Sequence, residues 1–271
     1  MGVRRCAILT MCVAALLSSG CQQPNYDLLG QVGSDGFALL FPGVINTGWQ
    51  LARTAKNVRT LRPELTVRVH PWGPAMLSIP NLLAEERNRE DAQRLADDIA
   101  TFRRKNPEAD IYLFGYSGGG GFAVFVVESL PDDVMIDRLM LMAPAVSDTY
   151  AIETKVLPHV REFMVVYASK HDKQLGWGTR LMGNMDGRTS GCAGYTGFQC
   201  EHPKLVQVPW RAAMLKQLHF GNHLSYLSPL WQSRYVMPAF ETNADVAALR
   251  QRFFDDSEQR AESTASIGSR R

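Results

Sequence analysis

Residues 111–119 read Ile-Tyr-Leu-Phe-Gly-Tyr-Ser-Gly-Gly, an apolar stretch that runs directly into the pentapeptide Gly-x-Ser-x-Gly. The apolar run predicts a buried strand, and the glycine-rich, apolar stretch after it predicts a helix. A serine at such a turn is typical of a nucleophile elbow, in which Gly115 and Gly119 allow close packing of the backbone. The turn would expose the Ser117 hydroxyl and place the Gly118 N–H at a helix N-terminus, where it can stabilise an oxyanion.

Strands and helices alternate on both sides of this motif. Segments such as 85–105 place apolar residues on one face of a helix. The alternation predicts an α/β fold, a doubly wound and mostly parallel sheet covered by helices, in one domain over residues 36–254. The active site of such a sheet lies at the carboxyl ends of the strands. Further strands are predicted at 37–41, 65–70, 134–142, 163–168 and 204–208.

Two later segments carry the partners that a nucleophilic serine requires, a base and a carboxylate that orients it. Asp172 comes shortly after the predicted strand 163–168, in a short polar loop. His223 follows in the sequence Gly-Asn-His-Leu-Ser, in a polar turn before a helix-like stretch. Both therefore fall where loops from a parallel sheet meet, and we expect them to lie beside Ser117.

The residues alone leave open other choices for the acid, the base and the role of the glycine-rich turn. Asp148 follows the strand 134–142 and is an alternative acid, while His219 and His202 are alternative bases. An aspartate after a strand is also often only a helix cap. The glycines after Ser117 could cradle a phosphate, but the Lys-Ser/Thr pair that such a loop requires does not follow.

The elbow and the acid and histidine segments together resemble the α/β-hydrolase superfamily, of the serine esterase and lipase type, over roughly residues 36–235. The resemblance implies that Ser117 is the nucleophile, His223 the general base and acid, and Asp172 the orienting carboxylate. It also implies a second oxyanion N–H from the loop after the first core strand, here Val44 together with Gly118. Proline precedes Gly43 where the family often has histidine, and this leaves a choice between Val44 and the next residue, Ile45.

Residues 1–20 combine two arginines with a short apolar run and small residues, a pattern typical of an export signal rather than a membrane span. The end of this segment resembles the lipobox of bacterial lipoproteins, although Ser18 stands where leucine is most common. The resemblance implies a lipidated Cys21 that carries palmitate or a similar chain, and a tether over residues 21–35. It also implies a periplasm-facing location on the cell membrane or outer membrane. An ordinary cleaved signal peptide is the alternative.

Only Cys192 and Cys200 lie beyond the candidate lipidation site Cys21. In an exported protein, such a close pair predicts a disulfide, with two free thiols or half of a metal site as the alternative. The pair lies within residues 176–209, a stretch rich in glycine and aromatic residues. We expect this stretch to be either a lid-like insertion over the site or a surface loop pinned for stability. The polar tail 255–271 is predicted to be disordered.

Composition narrows the possible partners. The formal net charge is +2 and no stripe of lysine and arginine is present, so nucleic acid is not expected as a partner. The expected chemistry requires no metal and no organic cofactor, and its substrate would be a small-molecule or lipid ester. Two alternatives remain: the same residues could act as a thioesterase, peptidase or acyltransferase, or the chain could be a non-catalytic lipoprotein that binds a ligand.

Overall fold

The computed structural model describes residues 32–189 and 191–254, which build a six-stranded sheet in the order β2-β1-β3-β4-β5-β6. Every neighbouring pair of strands in this sheet is parallel. The predicted α/β fold with a mostly parallel sheet is therefore confirmed. The strands are β1 (Gly36–Phe41), β2 (Thr66–Val69), β3 (Asp110–Tyr116), β4 (Ile136–Met142), β5 (Val160–Ala168) and β6 (Leu205–Pro209).

Helices and short helical turns connect the strands. The α-helices are α1 (Trp49–Leu61), α2 (Ser78–Leu83), α3 (Glu85–Lys105), α4 (Gly118–Glu128), α5 (Ile152–Lys155), α6 (Lys173–Met182), α7 (Ala193–Thr196), α8 (Pro229–Trp231) and α9 (Val246–Phe254). Tighter 3-10 turns cover Leu157–His159, Ala212–Gln217, His223–Leu227 and Met237–Phe240, and a π-helical turn covers Gln232–Val236. Among the described residues, none of these helices is both long enough and apolar enough to cross a bilayer.

The core follows from the patterning of these elements. Strands β3 and β4 are buried on both faces, as their nearly continuous apolar sequences require. Helix α4 is buried on nearly every side, whereas α3 covers it with one apolar stripe that includes Leu95 and Ile99. Acidic residues begin α3 and basic residues end it, which matches the helix dipole.

The topology leaves a crevice between β1 and β3. From β1 the chain moves outward to β2 at the sheet edge, and then returns across β1 to form β3. Connections that diverge from two neighbouring strands open a cleft at their carboxyl ends, where α/β proteins bind their ligands. Ser117 comes directly after β3, so it lies at this cleft.

The predicted disulfide between Cys192 and Cys200 is wrong, because both thiols are free. Cys192 precedes α7, and its buried Sγ lies 3.3 Å from the carbonyl oxygen of Pro144. Burial raises the pKa of the Cys192 thiol to about 12. Cys200 lies on the other side of α7, where its carbonyl oxygen accepts a hydrogen bond from the Gln207 side chain. The sequence separation is short, but the helix between the two residues directs their side chains to different surroundings.

Several predicted segments lie outside the described residues. These are the export signal 1–20 with Cys21, most of the tether 21–35, and the tail 255–271. The stretch 176–209 is described except for residue 190, and it includes part of α6, all of α7 and all of β6. It is fastened to the loop after β4, since the N–H groups of Ala193 and Gly194 donate to the carbonyl oxygens of Val146 and Pro144.

Candidate active site

Ser117 occupies a strained turn between β3 and α4. Its φ of 56° and ψ of −123° lie in a region that residues with side chains rarely adopt. Two backbone hydrogen bonds hold Ser117 in this strained conformation. The Ser117 N–H donates to the Met142 carbonyl oxygen, and the Ser117 carbonyl oxygen accepts from the Ala145 N–H. The two motif glycines are required by close packing: a Cβ on Gly115 would lie 2.4 Å from a backbone oxygen, and one on Gly119 would lie 2.2 Å from another.

Ser117, His223 and Asp172 form a continuous hydrogen-bonded relay. The Ser117 Oγ lies 2.9 Å from the His223 Nε2. The His223 Nδ1 lies 2.6 Å from the Asp172 Oδ2. Ser117 and Asp172 are buried, whereas the imidazole is partly exposed. An imidazole held between a hydroxyl and a buried carboxylate can remove the hydroxyl proton, because the carboxylate orients the ring and stabilises its protonated form.

Asp172 is held in place by the start of α6. Its Oδ1 accepts a hydrogen bond from the Leu175 N–H at 3.2 Å, so the side chain caps the helix with one oxygen and contacts His223 with the other. Its own N–H donates to the Ser169 carbonyl oxygen. The side chain is fully buried, so both of its oxygens have fixed partners.

Tyr116 also contacts the relay, and no sequence pattern indicated it. Its ring stacks on the His223 imidazole with centroids 5.0 Å apart and planes 26° apart. Its hydroxyl donates to the His223 carbonyl oxygen at 3.0 Å. Burial raises the pKa of Tyr116 far above neutral, so the phenol remains a donor. The variable position of the Gly-x-Ser-x-Gly motif carries no signal for this contact, because the partner is 107 residues away.

The loop after β1 lies against the N-terminus of α4. The Gly43 N–H donates to the Gln50 side chain at 3.1 Å and is not available to a ligand. The next residue, Val44, lies against Gly118, since a Cβ on that glycine would meet the Val44 Cγ1 at 2.4 Å. The Asn81 amide donates to the Val44 carbonyl oxygen at 2.9 Å and so fixes the Val44–Ile45 peptide, whose N–H is that of the alternative donor Ile45. The two residues expected to supply oxyanion N–H groups are therefore adjacent.

The alternative acid, Asp148, bonds to the 191–199 segment instead of to His223. Its Oδ2 accepts hydrogen bonds from the Thr196 hydroxyl at 3.1 Å and from the Gln199 side chain at 3.0 Å. Its backbone N–H donates to Gly191. The side chain is buried beneath the 191–199 segment. Asp148 thus fastens this segment to the loop after β4.

The alternative bases also have other surroundings. His219 is fully buried with its ring edge-on to Tyr226, and its Nδ1 accepts the Gly221 N–H at 3.0 Å. Burial lowers the pKa of His219 to about 4, so it is neutral at physiological pH. His202 accepts the Lys204 N–H through its Nδ1 and lines a separate depression of about 640 Å³ next to β6.

One group of carboxylates could in principle hold a metal ion. Among the described residues, oxygens of Asp110, Asp137 and Glu162 lie within 4.8 Å of one another. They lie at or near the amino ends of β3, β4 and β5, opposite Ser117. Each carboxylate is already ion-paired with an arginine, at 2.6 Å in each case, in the pairs Arg62–Asp110, Arg103–Asp137 and Arg138–Glu162. This group is better described as an ion-pair network than as a metal site.

A parallel sheet that presents a serine at a strained strand-to-helix turn, with an acid and a histidine on later loops, defines the α/β-hydrolase class. The chain belongs to the family described as alpha/beta hydrolase of unknown function (DUF900), whose model matches residues 32–192. The matched region contains Ser117 and Asp172. His223 lies beyond it and is brought to them by the fold.

Comparisons with solved structures find distant likenesses. A dienelactone hydrolase from Anabaena variabilis is 15% identical, covers 74% of this chain and 84% of its own, and has a TM-score of 0.41. Esterase PE8 is 14% identical, with 70% and 85% covered and a TM-score of 0.42. Aspergillus fumigatus lipase B is 11% identical, with 81% and 54% covered and a TM-score of 0.47. No curated protein matches the chain significantly.

Proposed function

We propose that this protein is a serine hydrolase that cleaves carboxylic esters through an acyl-enzyme formed on Ser117. The observation that carries the proposal is the relay of two hydrogen bonds, 2.9 Å and 2.6 Å long, from the Ser117 hydroxyl through His223 to a buried Asp172. A strained nucleophile that contacts an oriented base has the geometry that nucleophilic catalysis requires.

In the first half of the reaction, Ser117 Oγ attacks the ester carbonyl carbon while His223 Nε2 accepts the hydroxyl proton. The carbonyl π bond opens and its electron pair moves to the oxygen. The N–H groups of Val44 and Gly118 donate to this oxyanion, with Ile45 as the alternative to Val44. Donors fixed before the reaction stabilise such charge by several kcal/mol, of the order of 3 kcal/mol each.

In the second half, the tetrahedral intermediate collapses and the alcohol leaves with the proton from His223. Water then enters, gives a proton to His223 and attacks the acyl carbon. Collapse of the second intermediate breaks the bond to Ser117 Oγ, which recovers its proton, and the carboxylic acid is released. The route needs no metal or organic cofactor.

The test is covalent labelling of the full chain by a fluorophosphonate probe, with Ser117→Ala and His223→Ala as variants. We expect labelling of the unmodified protein and its loss in both variants, since the probe reacts only with an activated serine. Circular dichroism of both variants checks that they fold. Absence of labelling in the folded, unmodified protein would instead support a ligand-binding role, and labelling that persists in Ser117→Ala would contradict the assignment.

The same relay serves other acyl transfers, so the labelled protein needs a substrate panel. Ester, thioester and peptide substrates with one common acyl group are compared by kcat/KM. The proposal predicts the highest value for the oxygen ester. A higher value for the thioester or the peptide, or transfer to an added alcohol instead of water, would identify the thioesterase, peptidase or acyltransferase alternative.

We also propose that the chain is a lipoprotein anchored through Cys21 to the cell membrane or outer membrane, facing the periplasm. The support is the sequence alone, namely an export-type leader that ends in a lipobox-like segment. Expression of the full gene with radiolabelled palmitate should label the protein and place it in the membrane fraction. The Cys21→Ala variant should lose the label, and retention of the label would contradict this assignment.

A further inference from the structure

The exposed apolar side chains of this protein are concentrated at one end of the sheet. Fifteen large apolar side chains are exposed among the described residues. Twelve of them lie in four segments, 42–50, 71–84, 169–182 and 210–231, which follow the carboxyl ends of β1, β2, β5 and β6. We call these twelve the apolar rim; it includes Trp49, Met76, Leu77, Trp177, Leu181 and Phe220.

The four segments form two contacting pairs, and each pair reaches Ser117. The Met76 N–H donates to the Ile45 carbonyl oxygen at 2.7 Å, so segment 71–84 lies against the loop after β1. On the other side, α6 packs against the turn that carries His223. Gly43 of the first pair and His223 of the second both lie against Ser117, so the rim flanks the candidate active site on both sides.

Helix α6 shows the character of this surface most directly. Its inner face buries Leu175 and Thr179. Its outer face carries Trp177 and Leu181, one turn apart, and these are 74% and 86% exposed. Contiguous apolar side chains that stand this far into solvent normally mark an interaction surface.

The charges of the four segments identify the class of partner. Segments 42–50 and 71–84 contain no charged residue, and segments 169–182 and 210–231 contain lysines and arginines. Their single carboxylate, Asp172, is fully buried. The nearest following carboxylate, Glu85, begins α3 and is paired with Arg89 at 2.9 Å. The cations of the four segments are Lys170, Lys173, Arg180, Arg211 and Lys216, all exposed except the half-buried Arg211.

An apolar surface flanked by cations, whose four segments expose no carboxylate, matches a bilayer that contains anionic phospholipids. Apolar side chains enter the boundary between headgroups and acyl chains, while lysine and arginine pair with lipid phosphates. We infer that the apolar rim docks on such a lipid surface and places Ser117 at the bilayer boundary. The inference stands separately from the proposed ester hydrolysis, because it concerns binding and not turnover.

The tryptophans provide a local readout for the test. Trp49 and Trp177 belong to the rim and are exposed, whereas Trp72 and Trp231 are buried. The full chain is prepared as the Cys21→Ser variant, which cannot be lipidated, and mixed with vesicles whose acyl chains carry bromine. We expect quenching and a blue shift of tryptophan emission on phosphatidylcholine vesicles that contain phosphatidylglycerol. The effect should weaken at high salt and on pure phosphatidylcholine.

Matched variants distinguish vesicle binding by the apolar rim from vesicle binding by the leader, residues 1–20. The double variant Leu77→Asp, Leu181→Asp should bind the anionic vesicles at least about tenfold more weakly. The control Leu61→Asp, Met135→Asp changes exposed residues near the opposite end of the sheet and should bind as the parent does. Vesicle binding without tryptophan quenching, or equal loss in both double variants, would overturn the inference. A dimer in sedimentation that leaves vesicles unbound would assign the rim to a second copy of the chain.

The two proposals can fail separately. The rim variants should keep fluorophosphonate labelling of Ser117, since neither changed residue belongs to the relay. If Ser117 labels but vesicles do not bind, only the docking inference fails. If vesicles bind through the rim but Ser117 does not label, only the proposed hydrolysis fails.

Discussion

At the scale of single residues, the site depends on a few side chains whose neighbours leave them little freedom. Ser117 keeps a positive φ because backbone hydrogen bonds to Met142 and Ala145 hold the turn on both sides. His223 is held by three contacts: the Ser117 hydroxyl, the Asp172 carboxylate and the Tyr116 ring. The contact with Tyr116 is the one whose contribution to catalysis is least obvious.

We predict that Tyr116 acts as a positioning residue for His223. Tyr116→Phe keeps the stacked ring but removes the hydrogen bond to the His223 carbonyl oxygen, and kcat should fall by about fivefold to tenfold, as expected for about 1 kcal/mol. Tyr116→Leu also removes the stacking and should cost more. The measurement is kcat and KM across pH. A purely structural role would lower Tm in both variants and leave kcat of the folded fraction unchanged.

At the scale of elements, α6 and the relay share one carboxylate. Asp172 caps the helix through Oδ1 and orients His223 through Oδ2. Helix stability and imidazole orientation therefore depend on the same side chain. Different substitutions can separate the two contributions.

Asp172→Asn should retain the cap, because an amide oxygen can still accept the Leu175 N–H. It should nevertheless lower kcat by roughly 10³-fold to 10⁴-fold, since the neutral amide cannot stabilise a protonated imidazole. Asp172→Ala should lose similar activity and also about 1 kcal/mol of stability with the cap. Urea unfolding and steady-state kinetics on both variants test this. Equal stability of the two variants would show that the cap contributes nothing.

The elbow and α6 offer a matched pair of glycine substitutions. A Cβ on Gly119 would lie 2.2 Å from the Phe41 carbonyl oxygen, so Gly119→Ala must displace backbone and should destabilise the fold by about 1–3 kcal/mol or more. A Cβ on Gly178, inside α6, meets nothing within 4 Å. Gly178→Ala should therefore stabilise the protein, by up to about 1 kcal/mol. Thermal unfolding of both variants measures the contrast, and a stable Gly119→Ala would contradict the packing argument.

Local sequence pattern was sufficient to predict the strands, because buried parallel strands consist of short apolar runs between turn residues. The prediction for α3, residues 85–105, agrees with the helix bounds, since an apolar stripe and a terminal Asn-Pro mark it. Contacts between segments that are far apart in the sequence leave no comparable local pattern. The stacking of Tyr116 on His223 and the separation of Cys192 from Cys200 both depend on the three-dimensional path, so the first was missed and the second was predicted wrongly.

At the scale of the whole molecule, the relay of Ser117, His223 and Asp172 and the arginine–carboxylate ion pairs lie at opposite ends of the sheet. The carboxyl ends of the strands lead to the relay and the apolar rim, whereas the amino ends carry the arginine–carboxylate pairs. Two of the buried histidines, His70 and His219, lie in the chain that follows β2 and β6. These two side chains link the stability of the whole fold to pH.

Burial lowers the pKa of both His70 and His219 from 6.5 to about 4. Between these values the unfolded chain binds protons that the folded chain does not, so stability must fall as the pH drops from 6.5 towards 4. Each histidine should cost about 2 kcal/mol between pH 7 and pH 5. Urea unfolding at the two pH values measures the loss. His219→Gln should reduce the difference, and an unchanged difference would exclude His219 as its source.

The tight packing of the elbow has a consequence for how this protein can acquire new specificities. Gly115 and Gly119 approach backbone atoms too closely for any side chain, so the centre of the site offers no room for variation. The exposed side chains of the apolar rim stand in solvent instead, and we expect them to tolerate changes of size and polarity. A library of single substitutions selected on an unfamiliar ester should therefore yield its improved variants in a ring around Ser117. The elbow within that ring should remain unchanged.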